Sequence, residues 1–370
     1  GVAELVLACE WGPLRVFHLQ PGQPVEITDK LGLSKYLGWW NGVTAGDFDE
    51  DGRMDLAASN WGRNTKYEAF RAQPLQGYCG DWDEDGAVDL LEAHFDPMLQ
   101  KIVPERQLDV LSKVLSGLRE RFASHRAFST AGIEEVLGDQ FKAAKVVQAT
   151  WLESTVFLNR GDRFEPVVLP IEAQLAPAFG ICVTDCDGDG HEDLFLAQNF
   201  FAVQVETPRY DSGRGLWLRG DGTGRFTALA GQRSGVMIYG EQRGAAVADY
   251  DADGRSDLLV AQNGAATMLF HNLGAQPGLR VRLVGAPGNP DAIGAVLRLR
   301  FGERLGPARE LHAGGGYWSQ DGAVQVLGTP QTPSHLWVRW PGGKTILLDI
   351  PPGAASLVIR YPGEVKSASP

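Results

Sequence analysis

Four segments of this chain repeat one nine-residue pattern, D-x-D-x-D-G-x-x-D. They read DFDEDGRMD over Asp47–Asp55, DWDEDGAVD over Asp81–Asp89, DCDGDGHED over Asp185–Asp193 and DYDADGRSD over Asp249–Asp257. Each continues into Leu and a short apolar run (LAASN, LLEAH, LFLAQN, LLVAQN), as expected of a strand leaving a glycine turn. Four carboxylates crowded into one tight loop repel each other unless a cation sits among them.

The chemistry of the pattern is specific. Carboxylates at positions 1, 3 and 5 converge on one point, Gly at 6 permits the reversal, and a backbone carbonyl at 7 with the acid at 9 completes an oxygen cage. The candidate ligands are Asp47, Asp49, Asp51 and Asp55; Asp81, Asp83, Asp85 and Asp89; Asp185, Asp187, Asp189 and Asp193; and Asp249, Asp251, Asp253 and Asp257. The carbonyls of Arg53, Ala87, His191 and Arg255 would join them. Hard oxygen donors in a flexible cage, with no thiolate or imidazole, select Ca²⁺ over Zn²⁺ and over octahedral Mg²⁺. About four Ca²⁺ sites are expected. A truncated fifth is read at the N-terminus, where Gly1-Val2-Ala3-Glu4-Leu5-Val6-Leu7-Ala8 aligns with the second half of the pattern. On that reading the first half lies upstream and the chain is a fragment of a longer one.

Position 2 is Phe48, Trp82, Cys186 or Tyr250, expected to pack beneath its loop. Asp81 to Glu92 also satisfies the EF-hand pattern D-x-D-x-D-G-x₅-E. An EF-hand needs flanking helices, however, and Gly77-Tyr78-Cys79-Gly80 is no helix. Position 12 elsewhere is Ala58, Leu196 or Val260, so Glu92 reads as a strand residue in register with the repeat.

Beside the loops lie hairpin signals. Thr155–Asn159 and Arg163–Val167 flank one Arg-Gly-Asp turn, and Leu216–Leu218 and Arg225–Thr227 flank another. Short strands and polar glycine turns recurring with each acidic loop predict a β-propeller, an architecture that also protects sheet edges. The tripeptides Arg160-Gly161-Asp162 and Arg219-Gly220-Asp221 read as turn chemistry at one shared repeat position, not as an adhesion motif.

One stretch breaks the rhythm. Successive loops start 34, 104 and 64 residues apart. Within the long gap Leu108, Leu111, Leu115, Leu118 and Phe122 recur at helical spacing, predicting an amphipathic helix over 105–123 packed on the blades. Ser129 or Thr130 is placed to cap a second helix carrying Ile133, Val136 and Leu137 and ended by Gly138, with a further turn or two over 139–147. The expected organisation is all-β: propeller blades over 1–94, a helical insertion over 95–150, blades over 151–277, a small β domain over 278–363 and a tail over 364–370.

The aspartate repeats, with Ala178-Phe179-Gly180 leading into the third, resemble FG-GAP/VCBS repeats, which form integrin-α-like propellers. The C-terminal region resembles the ASPIC/UnbV domain of cartilage acidic protein-like proteins. The resemblance rests on Asn289-Pro290-Asp291-Ala292-Ile293-Gly294-Ala295, Gly314-Gly315-Gly316-Tyr317-Trp318-Ser319-Gln320 and Val338-Arg339-Trp340-Pro341-Gly342-Gly343. The chain departs from the family where a His-Phe-Gly-Leu-Gly-like segment is usual, having Val324-Gln325-Val326-Leu327-Gly328 instead. The resemblance implies a secreted, periplasmic or cell-surface location, calcium-stabilised structure, and adhesion or ligand binding, with no reaction attached.

Charge and motif inventory agree with that class. With 46 acidic against 34 basic residues the formal charge is −12, leaving no basic excess for a phosphate backbone, so no nucleic-acid partner is expected. Four bound Ca²⁺ would bring it to about −4. No apolar run approaches the ~18 residues of a membrane span. Cys9, Cys79, Cys182 and Cys186 follow no disulfide or CxxC spacing and read as small buried hydrophobes, their redox state open. There is no G-x-S-x-G, H-E-x-x-H or P-loop. His191 is expected to ligate only through its carbonyl, and His312 to be structural. The leading reading is a non-enzymatic, monomeric scaffold recognising a protein or glycan. The alternative is a carbohydrate-binding or polysaccharide-degrading protein, for which ten Trp offer stacking surfaces.

Overall fold

The computed structural model describes residues 4–70, 72–205 and 207–368. Gly1, Val2 and Ala3 of the truncated fifth repeat lie outside them. Its remainder forms the strand Glu4–Leu7, which pairs with Arg15–His18 and, through it, with Val25–Glu26.

Each acidic loop joins two antiparallel strands of one small sheet, because its glycine reversal returns the chain beside itself. The first loop joins Gly42–Gly46 to Asp55–Ser59, the third joins Ala178–Thr184 to Asp193–Gln198, and the fourth joins Glu241–Ala248 to Asp257–Asn263. The leading strands of these three sheets lie side by side. Adjacent sheets share cores: Phe48, Val156 and Leu158 meet Ile181, Leu194 and Leu196, and Phe195 and Trp217 meet Val247 and Leu258. The fold is mostly β, as the repeat predicts.

The second loop stands apart in topology. It joins Leu75–Gly80 to Asp89–Asp96 in a sheet completed by Lys101–Pro104 and Lys145–Ala149. That whole sheet is nested inside the first one, whose third strand, Thr155–Asn159, pairs directly with Asp55–Ser59. The stretch expected as a helical insertion therefore carries two strands as well as helices.

The expected helix over 105–123 is broken into Leu108–Leu111 and Leu118–Arg121. Gly117, at φ 74°, interrupts it in the left-handed region, yet both halves still bury Leu108, Leu111 and Leu118. So short a helix gains little from propensity alone, and the buried stripe against Tyr78, Trp82 and Leu91 decides the conformation. The second helix is Ile133–Leu137; its cap is Gly132, whose N–H donates to Glu135, while Ser129 ends the preceding helix His125–Phe128.

Beyond residue 278 two sheets enclose a core of Leu279, Val281, Leu297, Leu336, Val338, Trp340 and Ile359. Residues 364–368, expected as a tail, instead form the strand Glu364–Ala368 against Ser356–Arg360, with Val365 packed on that core. The two final residues lie outside the described ones. All four cysteines are free, Cys182 buried and the others half-buried.

Candidate metal centres

The four loops share one backbone. Position 6 is glycine in the left-handed region in every case (Gly52, Gly86, Gly190, Gly254; φ 83–89°), and position 4 is left-handed too, even where it is Glu50, Glu84 or Ala252. Within this turn the carboxylates organise amides. Position 1 accepts the N–H of position 6: Gly52 to Asp47 at 3.0 Å, Gly86 to Asp81 at 3.1 Å, Gly190 to Asp185 at 2.8 Å and Gly254 to Asp249 at 3.1 Å. Position 5 accepts the N–H of position 7, as Asp51 does from Arg53 and Asp189 from His191.

Position 9 grips the start of the loop. Asp55, Asp89, Asp193 and Asp257 each accept from the position-2 N–H. In three loops the other oxygen accepts from the end of the sheet's third strand or just beyond it: Asn159 to Asp55 at 2.7 Å, Gly220 to Asp193 and Asn272 to Asp257 at 2.8 Å. In the second loop the third strand stops at Pro104, opposite Ala93, and Asp89 receives no such bond among the described residues.

These bonds set which carboxylates converge. In the first, third and fourth loops positions 1, 3 and 9 come within 4.8 Å of one another: Asp47, Asp49, Asp55; Asp185, Asp187, Asp193; Asp249, Asp251, Asp257. In the second the cluster is Asp81, Asp83 and Asp85. Position 5 pairs with Arg53 in the first loop and with Arg255 in the fourth, where Asp253 also converges with Asp251 and His271. The position-2 side chains Phe48 and Trp82 are buried as expected; Tyr250 instead lies exposed, edge-on to His271.

Electrostatics divide the loops. Asp47, Asp55 and Asp193 have no exposure and Asp185 has 5%, whereas Asp81, Asp83 and Asp85 are exposed. Burial pushes Asp47 and Asp185 up to about 6 and Asp55 and Asp193 up to about 7, against the amide bonds that favour ionisation. Such carboxylates want a cation. Asp47 Oδ1 and Asp49 Oδ1 are buried with no hydrogen-bond partner, an orphaned pair that suits a hard cation.

Several neighbours of the cages carried no sequence signal. Arg160 reaches Asp49 at 2.5 Å and Arg219 reaches Asp187 and Asp189 at 2.6 Å, while His271 lies 2.8 Å from Asp251. Both arginines belong to the Arg-Gly-Asp turns. The turns do not share a repeat position: strand register equates Asn159 with Gly220, so the tripeptides are offset by two residues. His191 Nδ1 bonds Glu50 of the first loop. Glu92 sits in its strand, bonded by Arg106 at 2.6 Å and Tyr67 at 3.1 Å, away from any cage.

The C-terminal domain rests on three of the loops. Ala308 N–H donates to Asp47 at 2.7 Å, Arg280 Nε to Asp249 at 2.5 Å, and Arg309 forms a buried 2.5 Å pair with Glu192, position 8 of the third loop. Val247 N–H donates to Asp321 at 2.8 Å in the same seam.

A mostly β chain of small sheets turned by acidic loops, with a β domain seated on them, is the architecture of a propeller-type repeat protein. Comparison with known families agrees: residues 185–260 match the FG-GAP-like repeat, and residues 285–366 match ASPIC and UnbV. The chain carries an FG-GAP-like repeat and an ASPIC/UnbV domain. The first match spans the third and fourth loops; the first two lie outside it but follow the same pattern. No curated protein matches the chain. Among the described residues no helix is long and apolar enough to cross a membrane.

Proposed function

We propose that this is a non-enzymatic, extracytoplasmic, monomeric scaffold whose acidic loops bind structural Ca²⁺ and whose rigid faces serve recognition of a protein or glycan. The observation that carries the calcium reading is the orphaned pair Asp47 Oδ1 and Asp49 Oδ1, buried beside Asp55. The sixteen aspartates would act as positions 1, 3, 5 and 9 of four cages, with the carbonyls of Arg53, Ala87, His191 and Arg255. A bound Ca²⁺ supplies two positive charges where three or four carboxylates meet. The protein's part is to hold those carboxylates by amide bonds from both ends of each loop.

The surface favours a scaffold over sugar chemistry. Trp318 is 95% exposed, in the left-handed region, while Trp11, Trp40, Trp61, Trp82, Trp217 and Trp340 are buried and Trp39, Trp151 and Trp337 are half-buried. A stacking platform of paired exposed tryptophans beside free carboxylates is therefore not formed by the described residues. Both Arg-Gly-Asp arginines are engaged by cage carboxylates, which weighs against recognition through those tripeptides.

Thermal melting tests the calcium reading. With ~0.1 mM affinity and millimolar Ca²⁺, each site adds about 1.4 kcal/mol. EDTA is expected to lower the melting temperature and excess Ca²⁺ to restore it; an unchanged melt would remove the structural-calcium reading.

A further inference from the structure

The contact between the loops and the C-terminal domain falls on the same repeat position three times. Asp47 Oδ2 takes the Ala308 N–H, with Arg298 3.9 Å away. Asp249 Oδ2 takes Arg280 Nε. Asp185 Oδ2 is approached by the Gly328 backbone so closely that a Cβ on Gly328 would overlap it. All three are position 1 of their loops. Among the described residues, position 1 of the second loop, Asp81, accepts only from its own loop, through the N–H groups of Asp85 and Gly86.

Position 1 thus faces two ways. In Asp47 one oxygen is spent on Gly52 and Ala308, and the other is buried, unpartnered and beside Asp49 Oδ1. We propose that these aspartates couple the domains: filling of the first, third and fourth cages by Ca²⁺ and seating of the C-terminal domain reinforce each other, while the second cage fills independently. The proposal rests on the calcium reading above.

The direction follows from charge and geometry. Without a cation, Asp47, Asp49 and Asp55 repel one another at short range in a poorly solvated site. Relief comes from opening the loop to water, which draws Asp47 Oδ2 off the Ala308 N–H. Conversely, a carboxylate already fixed through one oxygen presents the other with less loss of freedom. Linkage makes the effect reciprocal, so a change in the C-terminal domain must register in cation affinity.

Hydrogen exchange read by mass spectrometry on the full chain, in millimolar CaCl₂ and in EGTA, tests this together with calorimetric Ca²⁺ titration. EGTA is expected to speed exchange in Val296–Phe301, 308–311 and Val324–Leu327 by roughly tenfold or more. Asp83→Asn in the second loop is expected to leave that difference intact. Gly328→Ala, a change in the other domain, is expected to weaken one Ca²⁺ equivalent about tenfold. Arg280→Lys, which keeps the charge beside Asp249 but alters the Nε–H contact, gives the same reading at the fourth loop should Gly328→Ala prevent folding. Equal exchange with and without Ca²⁺, while calorimetry still counts bound ions, would overturn the coupling and leave the calcium reading standing. Absence of binding heat in the unmodified protein would overturn both.

Discussion

The first and second acidic loops are nearly the same peptide, DFDEDGRMD and DWDEDGAVD, in opposite surroundings. The first has Asp47, Phe48 and Asp55 buried, and it is clipped to a third strand through Asn159, flanked by Arg160 and roofed by Ala308 and Arg298. The second is exposed, has no third-strand clip, and carries no ion pair on its aspartates among the described residues. Their backbones agree nonetheless, down to the left-handed Glu at position 4. The turn is therefore a local property of the repeat. What the turn can do with a cation is set by tertiary neighbours.

The largest effect that would break this comparison is at position 9. Asp55→Ala strips the acceptor from the Phe48 and Asn159 N–H groups in a buried site. Each buried donor left without a partner costs about 1–3 kcal/mol, so a loss of roughly 2–6 kcal/mol is expected by denaturant melt. Among the described residues Asp89→Ala removes only the bond from Trp82, at a half-exposed site, and about 1 kcal/mol is expected. Equal losses would mean that the third-strand clip does not distinguish the loops.

This division also marks how far the sequence reaches. The repeat, the strand after each loop and the hairpins were readable because each depends on neighbours within about ten residues. The nesting of the second sheet was not, since pairing of Leu56 with Phe157 spans a hundred residues and leaves no trace in periodicity. The apolar stripe from Leu108 to Phe122 announced burial but not continuity, and Gly117 broke the helix without disturbing the stripe. Glu364–Ala368 looked like a tail because its partner strand, not its composition, makes it a strand. The cover over three cages was invisible for the same reason. The close approach of the Gly328 backbone to Asp185 likewise follows from tertiary packing.

A smaller effect, on pH, sharpens the comparison. Folded-state values near 6 for Asp47 and Asp185 and near 7 for Asp55 and Asp193 lie above the ~3.9 of an unfolded Asp. The cation-free folded state then binds more protons than the unfolded chain between about pH 4 and 7, so these groups lend it stability as pH falls and withdraw it as pH rises through 6–7. In EGTA the melting temperature is expected to rise modestly from pH 7.5 to about 5.5. Calcium affinity at the covered cages is expected to move the other way, because protons compete for the same oxygens. A cation-free melt that instead falls over this range would contradict the buried, cation-seeking state of these aspartates.

The most direct measurement is a calorimetric titration of Ca²⁺ into the chelator-treated chain, repeated with Asp83→Asn. Four equivalents in two classes are expected: three tighter ones from the covered first, third and fourth loops, and a weaker one that Asp83→Asn alone abolishes. Four equal equivalents, or loss of a tight one in the second-loop variant, would contradict the distinction between covered and open cages.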